Sequence, residues 1–328
     1  MDEVSRRSLL TGAAAGAAAL GPLSGADAAA PRAGKQAHGF YRYRVGAIEV
    51  TVATDGAQSF PLTESYVVNA PIEEVRKALQ SVYMPPNRMT HHYAPIVLNM
   101  GRELIVIDTG FGPAAFKKTR GQLGQFTSNL AAAGIDPKDV DLVVISHFHP
   151  DHVNGLLDAE NKLAFPNAEV LVPAEEWKFW MDDGEMSRAP EGRMQELFAN
   201  NRRVFDALGR KVTPYVWGRD IVRGLTPLAT VGHSIGHTSF MLSSGFDQLF
   251  IQSDVTNNPD LFARHPDWGA FFDQDPQLAV TTRREVYDML VATKTLVQGF
   301  HYPFPGLAHV EAVDGGYRVV PMPWHPTL

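Results

Sequence analysis

Cysteine is missing altogether from the 328 residues. Its absence rules out a disulfide framework, a thiolate metal site, a lipoprotein anchor and a cysteine nucleophile. Any metal would have to be held by His, Asp or Glu. A basic excess is missing too, with 29 Lys and Arg against 36 Asp and Glu and a formal charge of −7, so no nucleic-acid partner is expected. Beyond the first thirty residues no apolar stretch reaches the ~20 residues that span a bilayer, and no stable membrane anchor is expected. No short-period repeat is visible. What remains is 45% hydrophobic and 20% charged, the balance of a globular chain able to bury a large core.

The chain opens with "SRRSLL", an Ala/Gly-rich apolar stretch from Leu9 to Leu20, and the small-residue run "GADAAA". This is the layout of an export signal, with Arg6 and Arg7 as the pair of the twin-arginine type. Residues 1–28 are therefore read as a signal peptide cut after Ala28, since Pro31 would follow the scissile bond if the cut came after Ala30. Its loss removes Arg6, Arg7, Asp2, Glu3 and Asp27 and leaves a formal charge of −6. The expected location is periplasmic or secreted. The twin-arginine machinery, which carries folded proteins, is one expected partner and a small-molecule substrate the other; a homodimer is left open.

Residues 29–328 read as one α/β domain in which strands and helices interleave without a long polar linker. "YRYRVGAIEVTVATDG" alternates around Gly46 as a strand pair would, and "APIVLNM" with "ELIVIDTG" forms a second such pair. Helices are expected at "IEEVRKALQSV" after Pro71, at "LGQFTSNLAAAG" closing on Gly134, at "PAEEWKFWMDD", at "EGRMQELFANNRRVFDAL" and at "DPQLAVTTRREVYDMLVATK". The continuous apolar run "DLVVI" suits a strand buried on both faces. Two strand-rich halves imply two sheets packed face to face with helices outside.

Directly after that run comes "HFHPDH", residues 147–152. On an extended segment His147 and His149 point to the same side and can meet one metal. Pro150 then turns the chain, and Asp151 and His152 project toward a neighbouring position where a second metal fits; Asp151 would otherwise cap a helix. One short loop cannot complete a four-coordinate site, so further ligands must come from other strand ends. Candidates are His233 and His237 in "GHSIGH", Asp254 ending "FIQSD", and His301 ending "VQGFH".

"HFHPDH", then "GH" before a strand, an Asp after an apolar strand and a late His together resemble the metallo-β-lactamase superfamily of dinuclear hydrolases. The likeness runs over essentially the whole mature chain, and it is greatest to the exported methyl parathion hydrolase and lactonase-like branch, through "LAFPNAEVLVPAEEWKFW" and "HYPFPGLAHV...GYRVVP". The resemblance implies an αββα sandwich of two mixed sheets. It assigns His147, His149 and His237 to one metal, Asp151, His152 and His301 to the other, and Asp254 to both. His233 is left as a structural or supporting residue, Asp108 in "IDTG" as an orienter of the metal loop from behind or a turn residue only, and His91, His92 and His309 as structural, His309 near the site. Phe111, Phe116, Trp180 and Phe198 are implied as substrate-pocket residues, with a place in the core on their helices as the alternative. The position three after Asp254, where acyl-homoserine lactonases of this superfamily commonly carry Tyr, holds Asn257.

Two divalent ions, Zn2+ first and Mn2+, Co2+ or Fe2+ as alternatives, would suit these ligands. Such a pair lowers the pKa of bound water enough to supply hydroxide near neutral pH and polarises a carbonyl or phosphoryl oxygen. Asp151 and Asp254 are ligands first, and either could pass a proton to the leaving group. The expectation is a metal-dependent hydrolase of small apolar esters, lactones or phosphotriesters. A dedicated lactonase and a mononuclear iron dioxygenase of the same fold are the alternatives.

Overall fold

The computed structural model describes residues 32–328, so the expected signal peptide, residues 1–28, lies outside the described residues. Residues His38–Leu328 form one unit. Seven strands make its first sheet. In chain order they are β1 (Phe40–Val45), β2 (Ile48–Ala53), β5 (Ile96–Asn99), β6 (Leu104–Ile107), β7 (Leu142–Val144), β8 (Glu169–Pro173) and β9 (Val212–Tyr215), and they lie in that order across the sheet. The second sheet runs β10 (Leu225–Ala229), β11 (Thr238–Ser244), β12 (Asp247–Ser253), β13 (Leu296–Gly299), β14 (Leu307–Val313) and β15 (Gly316–Pro321). A separate hairpin pairs β3 (Gly56–Pro61) with β4 (Arg88–Tyr93). β6 to β9 run parallel, as do β12 and β13, while the flanking strands are antiparallel.

The apolar runs explain the layering. In β5, β6 and β7 the two-residue period of a strand sends Val97, Val106 and Val143 to one face and Ile96, Leu98, Ile105, Ile107 and Val144 to the other. The first set packs under the helices Phe126–Ala132, Ala174–Trp180 and Arg193–Leu208. The second meets Phe240, Leu242, Leu249 and Ile251 of the second sheet and forms the layer between the sheets. On the far side, Val286, Tyr287 and Leu290 of the helix Pro276–Thr293 cover Phe250, Val297 and Val310. The result is the expected αββα sandwich, and strands covered on both faces are why these segments carry no polar alternation.

Two strand ends break the ordinary backbone pattern. Asp108 follows β6 at φ +58° and Ser253 closes β12 at φ +52°, both in the left-handed region that non-glycine residues avoid. Each sits immediately before or beneath a candidate ligand, where such strain is commonly held by surrounding contacts.

Candidate metal centre

Loops leaving the carboxyl ends of β6, β7, β12 and β13 meet at one end of the sandwich. After β7 the chain stays extended through His149, whose φ and ψ are −70° and 152°, and Pro150 starts the short helix Pro150–Val153. Pro at the first helical position has no N–H to lose there, so this sharp change of direction is favourable. It carries Asp151 and His152 away from His147 and His149.

Two groups of donors result. His147 Nε2, His149 Nδ1 and His233 Nε2 converge, with 3.1 Å between the first two and 2.8 Å between the last two. Asp151, His152, Asp254 and His301 form the second group. There His301 Nε2 lies 2.9 Å from Asp254 Oδ2 and 3.4 Å from Asp151 Oδ2, and His152 Nε2 is 3.2 Å from Asp254 Oδ1. Asp254 touches both groups, because its Oδ2 is also 3.3 Å from His233 Nε2 and 3.9 Å from His147 Nε2. Ligands on a tetrahedral ion with bonds of about 2.0–2.1 Å stand about 3.3 Å apart, a spacing these separations bracket; hydrogen bonds have similar lengths, so it is the convergence of seven donors in two groups that marks the site.

In four of the rings the second nitrogen tells the same story, while His149 meets the group through Nδ1 and its Nε2 is buried without a partner among the described residues. His152 Nδ1–H donates to Asp108 at 2.8 Å, His301 Nδ1–H to the His92 carbonyl at 2.7 Å, and His233 Nδ1–H to Asp273 at 2.8 Å. His147 Nδ1–H reaches Ser146 Oγ at 3.0 Å, and that hydroxyl donates on to Asp108 at 2.7 Å. One carboxylate, Asp108, therefore orients two histidines, as expected of a residue behind a metal loop. Each of these rings is left with its Nε2 lone pair facing the site. Among the described residues His152 Nε2 and Asp254 Oδ1 are buried and make no hydrogen bond, which is costly for a polar atom unless something else fills its coordination.

His237 does not join them, and here the expectation is corrected. It is fully buried, but its Nδ1–H donates to the Thr230 carbonyl at 2.8 Å and its Nε2 accepts the Asp254 backbone N–H at 2.9 Å. With both nitrogens occupied it has no lone pair for a metal. His233, four residues earlier, takes the place on the nitrogen-rich group. The loop is held in this arrangement by Glu176, a buried carboxylate that accepts from Phe148 N, Ser234 Oγ, Gly236 N and Trp180 Nε1. Gly236 permits the approach, since a Cβ there would lie 2.6 Å from the Glu176 nitrogen.

Burial pushes the His147 and His149 imidazoles well below their usual range, so they are neutral, as metal ligands must be. Burial opposes the ionisation of Asp254, but His301 and His152 outweigh it and hold the carboxyl well down. In return, burial would lower His233, yet Asp254 and Asp273 raise it to about 9. The site is an anionic nest that draws either a proton onto its imidazoles or a cation between them.

A cavity of about 530 Å³ opens over the centre, with Phe111, Tyr93, His91, Phe271, Phe272 and Arg193 among its walls. Of the four expected pocket residues only Phe111 is there. Trp180 is fully buried in the core, with its indole N–H bound to Glu176 and its ring 4.7 Å from that of Phe198. Phe198 is buried too, on the inner face of its helix with Leu197, Asn201, Val204 and Phe205. Phe116 is 47% exposed and stands against Gly121 and Gly124, outside the cavity. Sequence reading missed Tyr93 and His91 because it did not detect the β3–β4 hairpin. Phe271 and Phe272 stand in the irregular stretch before the helix Pro276–Thr293, where no periodic pattern places them. His309, expected near the site, lies in β14 away from the cavity walls.

The Metallo-beta-lactamase superfamily model matches residues 96–292, more than half of the chain. The chain belongs to the metallo-beta-lactamase superfamily. Within that superfamily it is similar to the N-acyl homoserine lactonase AttM of Azorhizobium caulinodans, with 31% identity over 124 residues. That match covers 35% of this chain and 40% of the relative, so the chain is matched to less than half of that protein's length. Among solved structures it is similar to the hydrolase AbOPH, at 26% identity and a TM-score of 0.80 over 89% of this chain and all of that one. AidC, a dizinc quorum-quenching lactonase, shares the fold at 24% identity and a TM-score of 0.81, covering 88% of this chain and 99% of AidC. A metallo-beta-lactamase-superfamily hydrolase with a His/Asp metal site is thus the level at which fold, donors and relatives agree.

Proposed function

We propose that the protein is a dinuclear hydrolase of small apolar esters, lactones or phosphotriesters, with lactones the first class to try. The observation that carries this reading is the contact of Asp254 with both donor groups. His147, His149 and His233 would hold one divalent ion, Asp151, His152 and His301 the other, and Asp254 would be shared. Zinc suits imidazole-rich sets of four protein ligands per position. When bound, such a pair supplies a water of lowered pKa and polarises a carbonyl or phosphoryl oxygen.

The chain's own residues do the rest. Asp108 and Ser146, Asp273, and the His92 carbonyl fix which ring nitrogen faces the substrate end of the site. Asn257 donates to Asp254 Oδ2 at 2.9 Å and holds that carboxylate in place. Asp151, at the cavity floor, is the side chain placed to take up a proton and pass it to a leaving oxygen. Phe111, Phe271 and Phe272 offer an apolar wall to an acyl or aryl group and limit water around it. The names of AttM, AidC and AbOPH support a choice among lactone and other hydrolysable substrates.

Metal counting on purified protein, with a panel of lactones, an aryl ester and an aryl phosphotriester, tests the reading. Two ions per chain, and turnover of at least one panel member that is lost with a chelator and restored by zinc, are expected. An intact panel at full metal loading would sink it, and one bound iron per chain would favour a mononuclear oxygenase instead. Periplasmic residence after twin-arginine export is proposed with it, and is checked by whether changing Arg6 and Arg7 to Lys retains the protein in the cytoplasm.

A further inference from the structure

The β3–β4 hairpin brings a second, differently built histidine to the cavity. His91 and His92 are neighbours on β4 and point to opposite sides of it. The His92 carbonyl orients His301. The His91 ring lies 5.5 Å from the His301 ring, centroid to centroid, and forms part of the cavity wall. It is packed at 5.0 Å against Phe60 and 6.0 Å against Phe272, both edge-on, so it has little freedom to turn.

Its Nε2 is 2.6 Å from Tyr66 Oη. Tyr66 is 1% exposed, and among the described residues its hydroxyl has no other partner. A buried phenol with one partner gives its proton to that partner, because otherwise the O–H would be an unmet donor in an apolar setting. Tyr66 therefore donates and His91 Nε2 accepts, which puts the ring proton on Nδ1. Among the described residues that atom has no protein partner, and it is not wholly enclosed. The ring forms part of the cavity wall, so the cavity is the open side available to that nitrogen.

We propose that Tyr66 locks His91 in its Nδ1–H form, and that this N–H donates a hydrogen bond to the substrate oxygen that gains negative charge when water adds to the carbonyl or phosphoryl centre. The inference rests on the hydrolase reading for its substrate, but not for its tautomer. No proton is transferred: the donor is a fixed dipole beside His301, worth more in a walled cavity than in water. His91 touches the substrate, and Tyr66 is a positioning residue that acts through it.

Nitrogen-15 imidazole spectra of the full-length protein, with and without zinc, and kinetics of His91→Phe, His91→Gln and Tyr66→Phe at full metal loading form the test. The wild type should show His91 protonated at Nδ1 in both states, and Tyr66→Phe should give a mixture of tautomers. His91→Phe should lose about 10²-fold in kcat with KM changed little and both ions retained, His91→Gln should recover part through its amide N–H, and Tyr66→Phe should fall between. An Nε2-protonated ring in the wild type, or a His91→Phe kcat within twofold of the wild type, overturns the proposal. If no panel substrate is turned over by the wild type, the hydrolase reading fails by itself, and the spectra still decide the tautomer.

Discussion

The loops 147–152 and 232–237 both bring buried histidines to the same end of the sandwich, yet they use them differently. In the first, every imidazole and carboxylate faces the donor groups. In the second, His233 does and His237 turns its back, spending both nitrogens on Thr230 and the Asp254 backbone. The two residues are alike in type, burial and flanking glycines. What separates them is whether a lone pair is left over after the backbone has been satisfied. A ligand is defined by its unspent nitrogen, and spacing alone does not reveal it.

The sharpest way to break this contrast is to remove each ring in turn. His233→Ala should lose one ion per chain and about 10³-fold in kcat/KM, since a ligand matters more than the ten- to hundredfold of an outer partner. His237→Ala should keep two ions by elemental analysis but lower stability by about 2–3 kcal/mol in denaturant melts, because the Asp254 N–H is left buried without an acceptor. If His237→Ala loses the ion and His233→Ala keeps it, the assignment is reversed. Trp180 and Phe111 extend the comparison to the walls. Trp180→Ala should cost about 3–5 kcal/mol as a core cavity, whereas Phe111→Ala should mainly raise KM for bulky substrates.

Smaller effects probe the supports. Asp273→Asn removes the carboxylate acceptor of His233 and should weaken binding of the ion at that position by about 10–100-fold in a chelator competition, while the stoichiometry at saturating zinc stays at two. Asp55, buried behind Phe111 and Gly124, gives a pH signature. Burial raises its carboxyl from 3.8 to about 6, against the backbone N–H groups of Phe126, Phe111 and Gly124. The folded pKa lies above the unfolded one, so its contribution is complete below about pH 4 and is lost as pH rises through about 6. Relative to Asp55→Asn, the wild type should lose up to about 3 kcal/mol between pH 4 and 7; parallel stability curves for the two proteins would refute this.

Legibility of the chain followed the range of the forces involved. "DLVVI" and "HFHPDH" are local: a run buried on both faces announces its strand, and four donors within six residues announce their chemistry. The paired sheets and the helices over them were readable for the same reason, whereas the role of Asp108 came from the family resemblance. β3 and β4, "GAQSFP" and "RMTHHY", have no clean alternation and are separated by a helix, so their pairing, and with it the places of Tyr93 and His91, depends on contacts distant in sequence. Trp180 and Phe198 were misplaced because an aromatic residue on an amphipathic helix fits a core as well as a pocket. Leu197, Asn201, Val204 and Phe205 define the inner face that decides it for Phe198.

The donors come from both layers of the sandwich: 147–152 from the first sheet, and 233, 254 and 301 from the second. Ions held between them would act as rivets. The layers could then part only by releasing their cargo, so the midpoint of heat unfolding should climb with the logarithm of free zinc rather than stay a fixed property of the chain.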